Sequence, residues 1–149
     1  MMMTTQNEKT IAGVRESESG ENLLSIVVPA FNEQDVLTAF HARLASVMDA
    51  LDMESEVLYV NDGSADKTLS VIRDLREQDP RIAILDLSRN FGKEIAMTAG
   101  LEHARGDAVI IIDADLQDPP ELIPELVRHW RDGGRHACLG PEYFASDDR

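Results

Sequence analysis

Asp113 and Asp115 stand two residues apart in "DADLQD" (113–118), directly after the aliphatic run "AVIII". In extended chain, residues i and i+2 project to the same side. Both carboxylates then face one small space, where unpaired like charges repel and one would take up a proton. A divalent cation resolves that conflict. Oxygen ligands suit Mg2+ or Mn2+, and Mg2+ commonly uses one or two carboxylates together with substrate phosphates and water. Gln117, a further i+2 step along, adds a carbonyl oxygen. The structural alternative is that Asp118 caps a following helix with Pro119 in its first turn, while the Asp pair bonds loop amides. Capping by Asp118 leaves Asp113 and Asp115 without an account.

Three more stretches carry polar groups beside apolar runs. In "PAFNE" (29–33), Pro29 lacks an N–H and is expected to end a strand, and Asn32 or Glu33 suits a helix cap. In "NDGS" (61–64), Gly63 permits a tight turn and Ser64 or Asp66 can cap the next helix. Asp62 could equally accept hydrogen bonds from a nucleobase or ribose, and both readings stand. In "SRNFGKE" (88–94), Arg89 and Lys93 flank a glycine. Cations at a helix N-terminus attract phosphate, and a solvated turn is the alternative.

The elements that must position these residues follow from the apolar pattern. "LLSIVVP" (23–29), "EVLYVND" (56–62), "IAILDLS" (82–88) and "AVIIID" (108–113) are continuous rather than alternating, as expected of strands buried on both faces. Between them, apolar residues recur at helical spacing over 34–51, 66–78, 93–105 and 120–131. Strand–helix alternation with short joints predicts an α/β fold, a mainly parallel sheet between helical layers. Ligands of such sheets bind beyond the carboxyl ends of the strands, where all four polar stretches fall. Residues 1–22 are polar and aperiodic and are expected to form a disordered arm.

The chain has 149 residues and a hydrophobic content of 43%, enough for one domain with a sizeable core. Its formal net charge is -14, from 14 basic and 28 acidic residues, which disfavours nucleic acid and anionic membrane surfaces as unassisted partners. A single Cys, Cys138, excludes an internal disulfide. With no apolar core in "MMMTTQNEKT" and no membrane-length apolar stretch, the expected location is the cytoplasm. An acidic protein can hold an anionic diphosphate where a divalent metal, helped by Arg89 and Lys93, bridges the two. The metal would also stabilise charge on a leaving diphosphate.

"SIVVPAFNE", "VNDGSADKT", "SRNFGKEIAMTAGLEHARGD" and "IIIDADLQDPPE" together resemble family 2 glycosyltransferases of the GT-A fold. The branch they resemble most is that of polyprenyl-phosphate sugar transferases, such as dolichyl-phosphate mannose synthase and undecaprenyl-phosphate glucosyltransferases. The resemblance covers about residues 24–133. It implies a three-layer α/β/α domain over 23–133, with the nucleotide held by Pro29, Phe31 and Glu33, and with Asp62 on the base. It further implies Asn90, Gly92 and Lys93 near the sugar nucleotide, and a "DxD" metal site at Asp113, Asp115 and Gln117, with Asp113 also near the nucleotide. The implied reaction is inverting transfer of a sugar from UDP or GDP to a polyprenyl phosphate, at the cytoplasmic face of a membrane. That acceptor is already an anion and needs little help from a general base, so no catalytic residue is assigned. The tail 134–149 lacks a strand or helix period, and the acceptor-binding half is expected to be missing. A non-catalytic nucleotide-binding module, or one that self-associates through exposed sheet edges into a homo-oligomer, is the alternative.

Overall fold

The structure, a computed structural model, describes residues 2–5, 23–115, 119–131 and 136–138, of which 2–5 and 136–138 are described by their backbone course. In chain order the elements are β1 (Met2–Thr5), β2 (Leu23–Ala30), α1 (Leu37–Ala50), β3 (Glu54–Asn61), α2 (Thr68–Gln78), β4 (Ile82–Asp86), α3 (Lys93–His103) and β5 (Ala108–Ile111). A 3-10 turn (Pro120–Leu122), α4 (Ile123–Arg131) and β6 (His136–Cys138) follow. They form a 6-stranded sheet in the order β4-β3-β2-β5-β1-β6. Strands β2, β3, β4 and β5 run parallel, and β1 lies antiparallel between β5 and β6.

Side-chain alternation along β2 divides the core. Leu24, Ile26 and Val28 join Phe40 and Leu44 of α1, Ile72 of α2, and Ile123 and Leu126 of α4 on one face. Val27 joins Leu58, Val60, Val109, Ile111 and Ala96 of α3 on the other. Helices on both faces are why the strands read as unbroken aliphatic runs. Each fully buried large aliphatic or Phe side chain contributes roughly 1.5–3 kcal/mol relative to exposure. The expected three-layer α/β/α architecture is therefore present.

Several expectations are corrected. Met2–Thr5, placed by the sequence in a disordered arm, is a strand on the outer edge of β5, whose four residues are all buried. An aliphatic strand with open backbone groups on one side recruits a partner. His136–Cys138, in the stretch expected to be without strand or helix, extends the same edge. The remainder of the expected arm and tail lies outside the described residues.

Pro29 does not end β2, which continues to Ala30 with Pro29 in register opposite Val60. The reason is directional. Val27 O accepts the Ile112 N–H on the β5 side, and Ala30 O accepts the Asp62 N–H on the β3 side. Pro29, two residues after Val27, points its nitrogen toward β5, whose pairing stops at Ile111, so its missing N–H costs no ladder bond.

A buried polar network fastens α1 to the sheet. His41 Nδ1 is 2.7 Å from Tyr59 Oη and Nε2 is 2.9 Å from Asp79 Oδ2. Asp79 accepts two further bonds from the Arg81 guanidinium. Burial lowers the proton affinity of His41 against the opposing pull of Asp79, and Arg81 holds Asp79 down at about 2. These directions fit a neutral imidazole donating through Nε2 to the carboxylate and accepting the Tyr59 hydroxyl proton at Nδ1. Among the described residues no helix is long and apolar enough to cross a membrane.

Candidate functional site

The loops after β2 and β3 are stitched to each other by short polar side chains. Asn32 N–H donates to Ser64 Oγ (3.0 Å), Glu33 N–H to Thr68 Oγ1 (2.9 Å) and Gln34 N–H to Asp66 Oδ2 (3.4 Å). In return, Ala65 N–H donates to Asn32 Oδ1 (2.9 Å) and Lys67 N–H to Gln34 Oε1 (3.0 Å). Asn32 adopts φ 52, a left-handed conformation that Asn tolerates. Burial works against ionisation of Asp66, but hydrogen bonds from the Thr68 side chain, the Thr68 amide and the Gln34 amide prevail and lower its proton affinity.

Neither Asn32 nor Glu33 caps α1, which starts at Leu37 without a side-chain cap; the Glu33 carbonyl accepts the Val36 and Leu37 amides instead. Asp66 does accept the Thr68 N–H at the head of α2, and Ser64 is spent on Asn32. Residues read locally as caps thus join two loops. Their types signal a bond to a nearby amide, and sequence alone favours the amide closest along the chain.

The end of β3 aims the loop after β4. Gly63 has φ +67, and a Cβ there would lie 2.2 Å from Asn90 N, so the backbone of 89–90 rests directly on this glycine. Asp62, 4% exposed, accepts the Phe91 N–H at Oδ1 (2.8 Å) and the Gly92 N–H at Oδ2 (3.2 Å). That anchorage delivers Lys93, the first residue of α3, to the fourth strand end, where its Nζ is 2.6 Å from Asp113 Oδ2.

The result is a cleft of about 150 Å3 lined by Pro29, Ala30, Phe31, Glu33, Asp62, Lys93, Asp113, Ala114 and Asp115. It draws on the ends of β2, β3 and β5, and the loop after β4 contributes through Lys93, at the head of α3. A larger hollow of about 560 Å3 lies between α1 and α2 beside His41, Asp79 and Arg81. Those side chains are engaged with one another, whereas the smaller cleft sits at the carboxyl ends of parallel strands, where such sheets take ligands.

Ala114, 1% exposed, sits in the turn after β5, and its neighbours Asp113 and Asp115 both line the cleft. Their charge registers on Glu33: burial first, then Asp115, Asp113 and Asp66, raise its proton affinity. The cleft thus carries more negative charge than Lys93 offsets. Among the described residues no group of three or more His, Cys, Asp or Glu side chains is arranged to hold a metal. Two carboxylates are the complement Mg2+ takes when phosphates and water complete its shell, so Asp113 and Asp115 fit such an ion bound together with a diphosphate.

Not every residue singled out from the sequence reaches the cleft. Asn90 and Gly92 lie in the anchored loop, Asn90 against Gly63 and Gly92 on Asp62. The Arg89 guanidinium is 4.6 Å from the centre of the Phe91 ring rather than in the cleft lining. Gln117 and Asp118 lie outside the described residues.

The sequence profile of the family described as Glycosyl transferase family 2 matches residues 25–149, past the boundary near 133 expected from the motifs. A glycosyltransferase of Synechocystis sp., described as uncharacterized, is 56% identical over 110 residues, covering 74% of this chain and 35% of its own. The bactoprenol glucosyl transferase of Shigella phage SfV is 47% identical over 110 residues, covering 74% of this chain and 36% of its own. The chain spans about a third of the length of the curated relatives it matches. Among solved structures, the mannosyltransferase PcManGT from Pyrobaculum calidifontis, in complex with GDP-Man and Mn2+, superposes with a TM-score of 0.58 at 28% identity, covering 64% of this chain and 28% of its own.

Proposed function

The chain belongs to glycosyl transferase family 2, a family of GT-A glycosyltransferases, and from that membership we propose that its strand-end cleft binds the diphosphate of a UDP- or GDP-sugar. In this reading a divalent cation, Mg2+ or Mn2+, is held by Asp113 and Asp115, and the donor sugar is destined for a polyprenyl phosphate. The observation that carries the reading is the convergence of Phe31, Glu33, Asp62, Lys93, Asp113 and Asp115, from separate strand ends, on one cleft. The names of the relatives add support: one is a bactoprenol glucosyl transferase, and a solved relative holds GDP-Man with Mn2+.

The volume narrows what the cleft takes. Sites for whole small ligands run to about 300–1,000 Å3. A cleft of about 150 Å3 suits the charged diphosphate, with base and sugar extending past it. The bound metal supplies Lewis-acid stabilisation for the leaving diphosphate. Lys93 adds a second positive charge at the same place. Asp62 keeps the loop that carries Lys93 in position, and since each carboxylate oxygen can accept more than one hydrogen bond, this cleft-lining residue can also take a nucleoside hydroxyl or base N–H. The exposed ring of Phe31 offers a flat apolar face at the mouth.

Calorimetric titration with UDP-glucose and GDP-mannose, in Mn2+ and in EDTA, tests the binding half of this proposal. Binding in Mn2+ that disappears in EDTA is expected, and no metal-dependent binding of either donor contradicts it. Transfer of radiolabelled sugar to polyprenyl phosphate then separates an enzyme from a module that only holds the nucleotide.

A further inference from the structure

The ion pair of Lys93 with Asp113 engages a carboxylate that the metal of the preceding reading would also use, and the inference drawn from it rests on that reading. Lys93 Nζ lies 2.6 Å from Asp113 Oδ2, with the lysine side chain 56% and the aspartate 32% exposed. Both residues line the cleft together with Glu33 and Asp115. Three carboxylates there need a counter-charge whether or not a metal is present, in a chain whose net charge is -14. An ammonium and a divalent cation on one carboxylate repel each other, so the two compete.

We propose that Lys93 is an internal counter-cation with two stations: it neutralises Asp113 while no metal is bound, and it cedes that carboxylate to the metal and pairs with the diphosphate when the metal–nucleotide complex enters. The anchorage of the preceding loop on Asp62 fixes the root of Lys93 at the first residue of α3, and its four-carbon stem alone makes the move. A divalent ion brings two positive charges to the Asp113 carboxylate where the ammonium brings one, and so displaces it. The lysine consequently makes metal binding weak alone and strong in the company of nucleotide.

Mn2+ binding without nucleotide, followed by electron paramagnetic resonance of the full chain, reads the first station. Lys93→Met and Lys93→Gln, both neutral, are expected to bind Mn2+ alone roughly two- to fivefold more tightly than wild type, the scale of a partly exposed ion pair. The same variants at saturating Mn2+ are expected to bind UDP and GDP more weakly by a similar factor. Lys93→Arg keeps the charge and stays near wild type in Mn2+ affinity. If wild type binds Mn2+, Asp113→Asn abolishes that binding, and the neutral variants bind it no more tightly, the two-station role is overturned while the metal reading stands. If wild type binds no Mn2+ with or without nucleotide, the metal reading itself falls and the role falls with it.

Discussion

The carboxylate of Asp62 is buried among backbone amides, and both its oxygens serve the loop after β4. Replacing it with Ala leaves two amides unmet and is expected to cost about 1–3 kcal/mol in denaturant unfolding. Asp62→Asn, which keeps one acceptor oxygen, should cost less. An unchanged midpoint for Asp62→Ala would show that the anchorage contributes nothing. The sequence "NDGS" revealed a turn with a carboxylate in it, and left open whether that carboxylate served the turn or a nucleoside. It could not reveal an anchorage to amides 29 residues away, because such a bond exists only once two parallel strands lie side by side. Asp113 and Asp115 were more legible: their spacing suggested one shared space and both line one cleft, although the chain there is a turn rather than an extended strand. Arg89 lies outside the cleft lining for a plain reason. Its positive charge suited a phosphate, but the aromatic ring two residues on lies within its reach.

At the scale of elements, the crossing of the β3 and β4 loops rests on two glycines with different demands. Gly63 needs a left-handed backbone and also has no room for a Cβ, whereas Gly92, at φ +100, has open space around it. Gly92→Ala is expected to cost about 1–3 kcal/mol from backbone strain alone. Gly63→Ala should cost more, since the backbone of 89–90 must also shift, and it should weaken nucleotide binding by displacing Lys93. Equal unfolding midpoints for the two variants would contradict this ordering. The buried contact of α1 with β3 makes a pH prediction. His41 in the folded protein has a proton affinity below its ordinary value of 6.5, so the unfolded chain takes up the proton first as pH falls. Its contribution is complete above about pH 6.5 and declines below it; Asp79, held at about 2, adds a further loss as pH falls from near 3.8 toward 2. Urea unfolding at pH 7 and pH 5 should show wild type losing stability, and His41→Gln should flatten that loss. The long strands were legible as aliphatic runs, because burial on both faces leaves no polar positions. The short strands β1 and β6 were not, since "MMTT" and "HAC" become strands through the open edge of β5 rather than through any pattern of their own.

For the whole molecule, a net charge of -14 sets the terms on which any nucleotide is held. Without a cation, a diphosphate approaches a cleft in which Glu33 already resists ionisation, through burial first and then through its acidic neighbours. UDP or GDP in EDTA is therefore expected to leave the melting temperature unchanged. The same nucleotide with Mn2+, at about 100 times its Kd, should raise it by roughly 5–10 °C. The architecture was legible at this scale because alternation of strand and helix admits few arrangements, and the position of the cleft followed from it. The central claim is that Asp113 and Asp115 together clamp the cation that lets an acidic protein hold an anionic ligand. Its most direct test is the nucleotide affinity of the Asp113→Ala, Asp115→Ala double variant in Mn2+. Affinity is expected to fall to that of wild type in EDTA; an affinity equal to that of wild type in Mn2+ would refute the clamp.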